Sequence, residues 1–199
     1  MQYIIHGVNS KEKLENLSRD VGVEVDIRYR NKKLVLGHDL EDTDDIFEEF
    51  LNSYDNTLFV ANIKDTGIEE LVIDKLKENN INNFFLLDVE FPFIMKNYKK
   101  FGSYLSTRFS ELEDFNTSLN LKNKVSWIWI DTFTKLPLNK NIVKDINGFK
   151  SCLVSPSRWE RTEDIKKTVL ELKKINFLPD FIMVEEEEIP IWENLLNNN

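Results

Sequence analysis

Cysteine is nearly missing from this 199-residue chain: a single one, Cys152, stands inside the apolar run Ser151-Cys152-Leu153-Val154. One thiol excludes an internal disulfide framework, and its setting predicts a small core residue. Glycine and proline are scarce as well, at six and five. No Pro/Gly/Ser-rich linker divides the chain, so one domain over residues 1–199 is expected. Long apolar runs are absent, which excludes a membrane-spanning helix. The opening Met1-Gln2-Tyr3-Ile4-Ile5 has no positive region followed by a long apolar stretch, and a cytoplasmic location is expected. Positive charge is in deficit, with 26 Lys and Arg against 35 Asp and Glu and a formal net charge of -9. Without a basic stripe the chain lacks the footprint of a nucleic-acid binder. Nothing in the sequence specifies self-association.

What the chain does have is alternation. Short β-branched and aromatic runs at 3–6, 23–28, 58–63, 84–88, 104–107, 127–131, 152–155 and 181–184 predict strands, with 33–37 as an extra strand or extended loop. Between them, segments of helical period are expected at 10–19, 43–53, 68–78, 93–100, 140–148, 162–175 and 190–196. Around 115–119 the period is weak, and a turn or short helix is expected there. Thr162, followed by Glu163 and Asp164, reads as an N-terminal cap, and Lys173-Lys174 suits the far end of that helix. The terminal Asn197-Asn198-Asn199 reads as frayed. Eight βα units predict an α/β fold of (β/α)8 TIM-barrel type, compact at this length, with an open doubly wound sheet as the competing arrangement.

Nearly every predicted strand finishes in a residue capable of chemistry: His6, Asp26, Lys64, Asp88, Arg108, Asp131, Ser155 and Glu185. In a barrel such ends meet on one face, where active sites form. Both histidines of the chain, His6 and His38, close apolar runs. Between them Glu24 and Asp26 sit at i and i+2, on one side of an extended strand whose alternate residues Val23, Val25 and Ile27 are apolar. Two imidazoles and a carboxylate pair are the parts of a metal-assisted acid/base site. Taken singly, each residue has a plainer reading: a packing histidine, a solvated strand end for Lys64, helix caps for Asp88 and Asp131, barrel packing for Trp127 and Trp129. Of the two tryptophans, Trp129 is the one expected to approach the pocket. Arg158, after the seventh predicted strand, is a further weak candidate for substrate, and the run 185–188 is expected to begin the last helix.

His6, Glu24 with Asp26, and His38 with Asp39 resemble the N-terminal signature of the glycerophosphodiester phosphodiesterase family, among the phospholipase-C-like phosphodiesterase barrels. Val60-Ala61-Asn62-Ile63-Lys64 is similar to the family's Glu-x-Lys strand. The chain departs from the pattern in two places. His6-Gly7-Val8-Asn9 lacks the arginine of the family's His-Arg-Gly and the Glu-Asn-Thr element after it, and Asn62 stands where a metal-binding glutamate is expected. The resemblance covers about the first third of the chain. It implies a divalent cation, Mg²⁺ or Ca²⁺, held by Glu24, Asp26 and Asn62, with His6 and His38 as general acid and general base in either order. It further implies a small phosphodiester substrate met by Lys64, Arg108, Asp88, Asp131 and Trp129, and hence a place in lipid metabolism. An amide at position 62 supplies no charge, so weaker cation binding is expected than from three carboxylates. Metal-dependent hydrolysis of a glycerophosphodiester or similar small phosphodiester is the leading expectation. A catalytically impaired barrel that binds a phosphorylated ligand is the second. A barrel isomerase or lyase using the histidines and Lys64 beside a carbonyl is the third.

Overall fold

Strand-forming runs and amphipathic helices alternate through the computed structural model, which describes residues 1–39 and 45–197. The start of the helix expected at 43–53, and Asn198 and Asn199, lie outside the described residues. The chain forms two compact units, Ile4–Lys100 and Met1–Tyr3 with Phe101–Asn199. The first strand, β1 (Gln2–Ile5), begins in the second of these and ends in the first.

In the unit Ile4–Lys100, β1 leads to α1 (Lys11–Asn16), opened by Ser10, whose side chain accepts from the Lys13 amide. Strand β2 (Gly22–Arg30) follows and pairs in parallel with β1 and with β5 (Phe59–Ile63). It starts on glycine for a reason: a Cβ at Gly22 would stand 3.1 Å from Leu58 and 3.2 Å from Ile4. Beyond Ile27, β2 runs on into an antiparallel hairpin with β3 (Lys33–Leu36), turned by Asn31 and Lys32 at φ 50° and 66°. Two successive left-handed residues are what a two-residue hairpin turn of this hand needs. A short antiparallel strand, β4 (Asp45–Ile46), takes residues expected to be helical, so α2 (Phe47–Leu51) is shorter than expected. Phe47, Phe50 and Tyr54 then pack edge-on around Phe59, with centroids 5.2–6.2 Å away. The unit continues with α3 (Glu69–Glu78), β6 (Phe84–Leu87), parallel to β5, and most of α4 (Phe91–Phe101).

The other unit carries β7 (Ser106–Phe109), α5 (Phe115–Asn120), β8 (Trp127–Ile130), α6 (Lys140–Ile146), β9 (Lys150–Val154), α7 (Ile165–Ile175), β10 (Phe181–Val184) and α8 (Ile189–Asn197). Its four strands pair in parallel in sequence order. The weakly periodic segment at 115–119 is indeed the short α5. Helix α7 buries Ile165, Thr168, Val169 and Leu172, one stripe at helical spacing. It ends on left-handed Asn176, with the Phe177 amide bonded back to the Leu172 carbonyl and Lys173 and Lys174 in its last turn. Thr162 is not its cap. Arg161 holds Asp164 at 2.8 Å, and residues Thr162–Asp164 form a tight turn ahead of the helix. Likewise Glu186–Glu188 form such a turn before α8. Cys152 is fully buried, as expected. Among the described residues antiparallel strand pairing is confined to β3, against the end of β2, and β4; β2 reaches α2 through this hairpin, and the seven other strands each lead to a helix, the βα alternation read from the sequence.

Candidate active site

Period-two alternation on β2 sends Val23, Val25 and Ile27 into packing and leaves Glu24 and Asp26 side by side on the other face. Both are buried, at 2% and 1% exposure, and in the parallel register Asp26 lies opposite Asn62 of β5. All four oxygens of the two carboxylates are engaged. Glu24 Oε1 accepts from Asn62 Nδ2 at 2.8 Å, and Glu24 Oε2 accepts from the Gly7 amide at 2.8 Å. Asp26 Oδ2 accepts from Asn9 Nδ2 at 2.7 Å, while Asp26 Oδ1 is ion-paired with Lys64 Nζ at 2.9 Å, outside hydrogen-bonding alignment. One buried acceptor is left over: Asn62 Oδ1, on a residue 7% exposed, has no hydrogen-bond partner among the described residues.

The loop after β1 is fitted to this pair. Gly7, at φ +60°, turns its amide onto Glu24, the Val8 amide donates to the Glu24 carbonyl, and Asn9 Oδ1 accepts from the Asp26 amide at 2.8 Å. Lys13 Nζ braces the turn from behind, on the carbonyls of His6 at 2.9 Å and Gly7 at 3.3 Å. Burial pushes the Glu24 carboxyl above its usual range, and the neighbouring Asp26 charge pushes it further. The charge of His6 and the donors Gly7 and Asn62 pull it back. Repulsion between two buried carboxylates is thus only partly offset by protein groups.

The hairpin brings the end of β3 back alongside β2, with the Gly37 amide on the Asp26 carbonyl at 3.1 Å. His38 follows. Its ring is 3.0 Å from Asp39 Oδ1 and its side chain is 50% exposed. Arg28 donates to the His38 carbonyl at 2.6 Å and to Asp65 Oδ1 at 3.1 Å, and Arg30 donates to the Asp39 carbonyl at 2.6 Å.

In the other unit, Asp131, just past β8, is buried and accepts from two indoles, Trp129 Nε1 at 3.3 Å and Trp159 Nε1 at 3.0 Å. Arg108 Nε is 3.8 Å away. Burial raises the Asp131 carboxyl, against the pull of Arg108 and the indoles. Arg158 lies over the Trp159 ring at 5.3 Å. Asp88 follows β6 on an exposed, left-handed backbone position at φ 57°.

Of the residues proposed from the sequence, His6, Glu24, Asp26, Asn62 and Lys64 therefore belong to one set of interactions, and Arg108, Trp129 and Asp131 to another. The sequence reading passed over Asn9, Arg28, Asp65 and Trp159. Arg28 carried a usable signal, because it continues the Glu24, Asp26 alternation along the same strand face.

Among the described residues no group of three or more His, Cys, Asp or Glu side chains is arranged as a metal cluster. The donors present are two carboxylates and the unpartnered Asn62 amide oxygen. All are hard oxygens of the kind Mg²⁺ and Ca²⁺ take, and both the unpartnered oxygen and the residual carboxylate repulsion fit a cation.

No protein-family model matches the sequence, and no curated protein matches it. Solved structures do match the fold. A glycerophosphoryl diester phosphodiesterase from Parabacteroides distasonis is 14% identical with a TM-score of 0.65, the match covering 100% of this chain and 88% of that one. N-(5'-phosphoribosyl)anthranilate isomerase from Pyrococcus furiosus is 13% identical with a TM-score of 0.60, covering 100% of both chains. Both are TIM-barrel enzymes, and the expected (β/α)8 class is the fold of this chain.

Proposed function

We propose that the chain is a phosphoric diester hydrolase acting on a glycerophosphodiester or a similar small phosphodiester, assisted by a divalent cation. The observation that carries this reading is the buried pair Glu24 and Asp26, with Asn62 in register opposite Asp26, Lys64 ion-paired to Asp26, and the charge of His6 acting on Glu24. The similar fold of a glycerophosphoryl diester phosphodiesterase supports it. Fold alone does not choose between that enzyme and the isomerase, since the two likenesses are of similar strength. The residues favour the first.

Glu24, Asp26 and the Asn62 amide oxygen would hold Mg²⁺ or Ca²⁺, which when bound polarises a phosphoryl oxygen. Lys64, just past β5, offers positive charge to the phosphate, and Arg108 is proposed for phosphate by its residue type. His6, whose charge acts on the Glu24 carboxyl, would move a proton at its imidazole. His38 is the partner acid or base. Asp88, Asp131 and Trp129 are proposed substrate contacts.

The test is hydrolysis of bis(p-nitrophenyl) phosphate and glycerophosphocholine with Mg²⁺, Ca²⁺ or Mn²⁺. Cation-dependent turnover that falls at least about a hundredfold in both His6→Ala and His38→Ala supports the reading. No turnover with any of these cations sinks it.

A second reading is a catalytically impaired barrel that binds a phosphorylated ligand. It is favoured by one observation: protein donors already engage every oxygen of Glu24 and Asp26. Tight cation-dependent ligand binding without turnover would establish it.

A further inference from the structure

We infer that Arg28, held by Asp65, is a positioning residue that sets the placement of His38. Arg28 sits two residues past Asp26 on the same strand, with a side chain only 14% exposed. Its planar fork makes two bonds in different directions, one to Asp65 and one to the His38 carbonyl. Asp65 is fixed in turn. Its second oxygen accepts from the Tyr29 amide at 2.7 Å, and the preceding Lys64 amide donates to the Ile27 carbonyl at 3.0 Å. The end of β5 is thereby tied to β2 by main chain and side chain together, and Arg28 carries that rigidity to the His38 peptide.

Arg30 repeats the contact one residue on, at the Asp39 carbonyl. Successive carbonyls of an extended chain point to opposite sides. Two arginines on one strand face therefore reach successive carbonyls only if the chain bends, and His38 and Asp39 form a bend. Bent in this way, His38 is ordered through its peptide while its ring stays half exposed beside Asp39. A guanidinium fits this role because it holds two acceptors at fixed angles, whereas an ammonium on a flexible stem does not.

The inference rests on the reading of His38 as a proton-transfer group, and the test separates the two. His6 and His38 are the only histidines, so ring signals of the ¹⁵N-histidine-labelled full chain are assigned from His6→Ala and His38→Ala. In Arg28→Lys and Asp65→Asn, backbone order parameters at 38 and 39 are expected to fall from about 0.85 to below about 0.6. The His38 ring signals should shift while those of His6 stay in place. Turnover of bis(p-nitrophenyl) phosphate should drop about tenfold or more in kcat with KM changed less than about threefold. Unchanged order at 38 and 39 overturns the inference, as does a joint shift of both rings, which would mean general loosening. Should the wild-type chain hydrolyse no diester, the hydrolase reading falls alone, and the order parameters and ring shifts still decide whether Arg28 positions His38.

Discussion

Asn62 Nδ2 donates to Glu24 Oε1 at 2.8 Å, so an uncharged amide on one strand satisfies a buried carboxylate on the next. The same contact leaves Asn62 Oδ1 without a donor among the described residues. What stabilises Glu24 therefore leaves an acceptor unmatched beside it, and four predictions follow the charges and donors around this pair and around Asp131.

Glu24→Gln should stabilise the cation-free chain at neutral pH and abolish cation binding. The glutamine oxygen can accept from the Gly7 amide while its NH₂ meets a rotated Asn62 amide oxygen, so the unmatched acceptor disappears. The sign with pH follows from the raised carboxyl. In the wild type this group's contribution is fully present below about 4.5, its ordinary value, and is lost as pH rises through the elevated folded value. Melting temperatures across pH 4.5–7.5 should show the Gln variant gaining on wild type as pH rises, by about 2–4 °C near neutrality, the shift of about 1 kcal/mol in a chain of this size. A constant difference across that range would refute the argument.

Asn62→Glu should tighten divalent-cation binding by about tenfold, because it adds a charged ligand where the amide supplies none. The same change removes the donor to Glu24 and adds a third carboxylate, so the cation-free variant should melt below wild type and recover when Mg²⁺ or Ca²⁺ is added. Titration calorimetry reads the affinity. An unchanged dissociation constant would remove Asn62 from the site.

These effects were only partly legible in the sequence. Strand β2 could be read because alternation of Val23, Val25 and Ile27 with Glu24 and Asp26 is a local pattern that pleating alone turns into two faces. The eight βα units were legible for the same reason. The brackets around the pair were not. Asn9 reaches Asp26 across 17 residues and Asp65 reaches Arg28 across 37, through side chains whose partners only the fold selects. Two local expectations failed to stronger neighbours: β4 took Asp45 and Ile46 from the expected helix, and Arg161 engaged Asp164 ahead of α7, leaving Thr162 in the preceding turn.

Lys64→Met should destabilise the cation-free chain by about 3 kcal/mol, since it leaves Asp26 buried beside Glu24 without its counter-charge. Removing a positive charge from the edge of the pair should also raise cation affinity by about tenfold. Urea denaturation with and without 10 mM Mg²⁺, a concentration of order chosen to saturate a weak site, should show most of the lost stability restored by the ion. Equal losses in both conditions would mean that Lys64 and the cation do not share Asp26.

Asp131→Ala should cost about 2 kcal/mol, because the buried indole N–H of Trp129 and the part-buried one of Trp159 lose their acceptor together. Denaturation followed by tryptophan fluorescence checks it, two of the four reporting rings being the ones released. A cost below about 0.5 kcal/mol would mean that water replaces the carboxylate freely.

The left-handed pair Asn31 and Lys32 acts as a ruler. A two-residue turn leaves β3 no slack, and one inserted residue would slide every partner along β2 and hand Arg28 a different carbonyl. Loop length at this corner is thus under tighter constraint than loop composition: substitutions that keep a left-handed backbone should pass, while any change in count would misplace the second histidine without touching it.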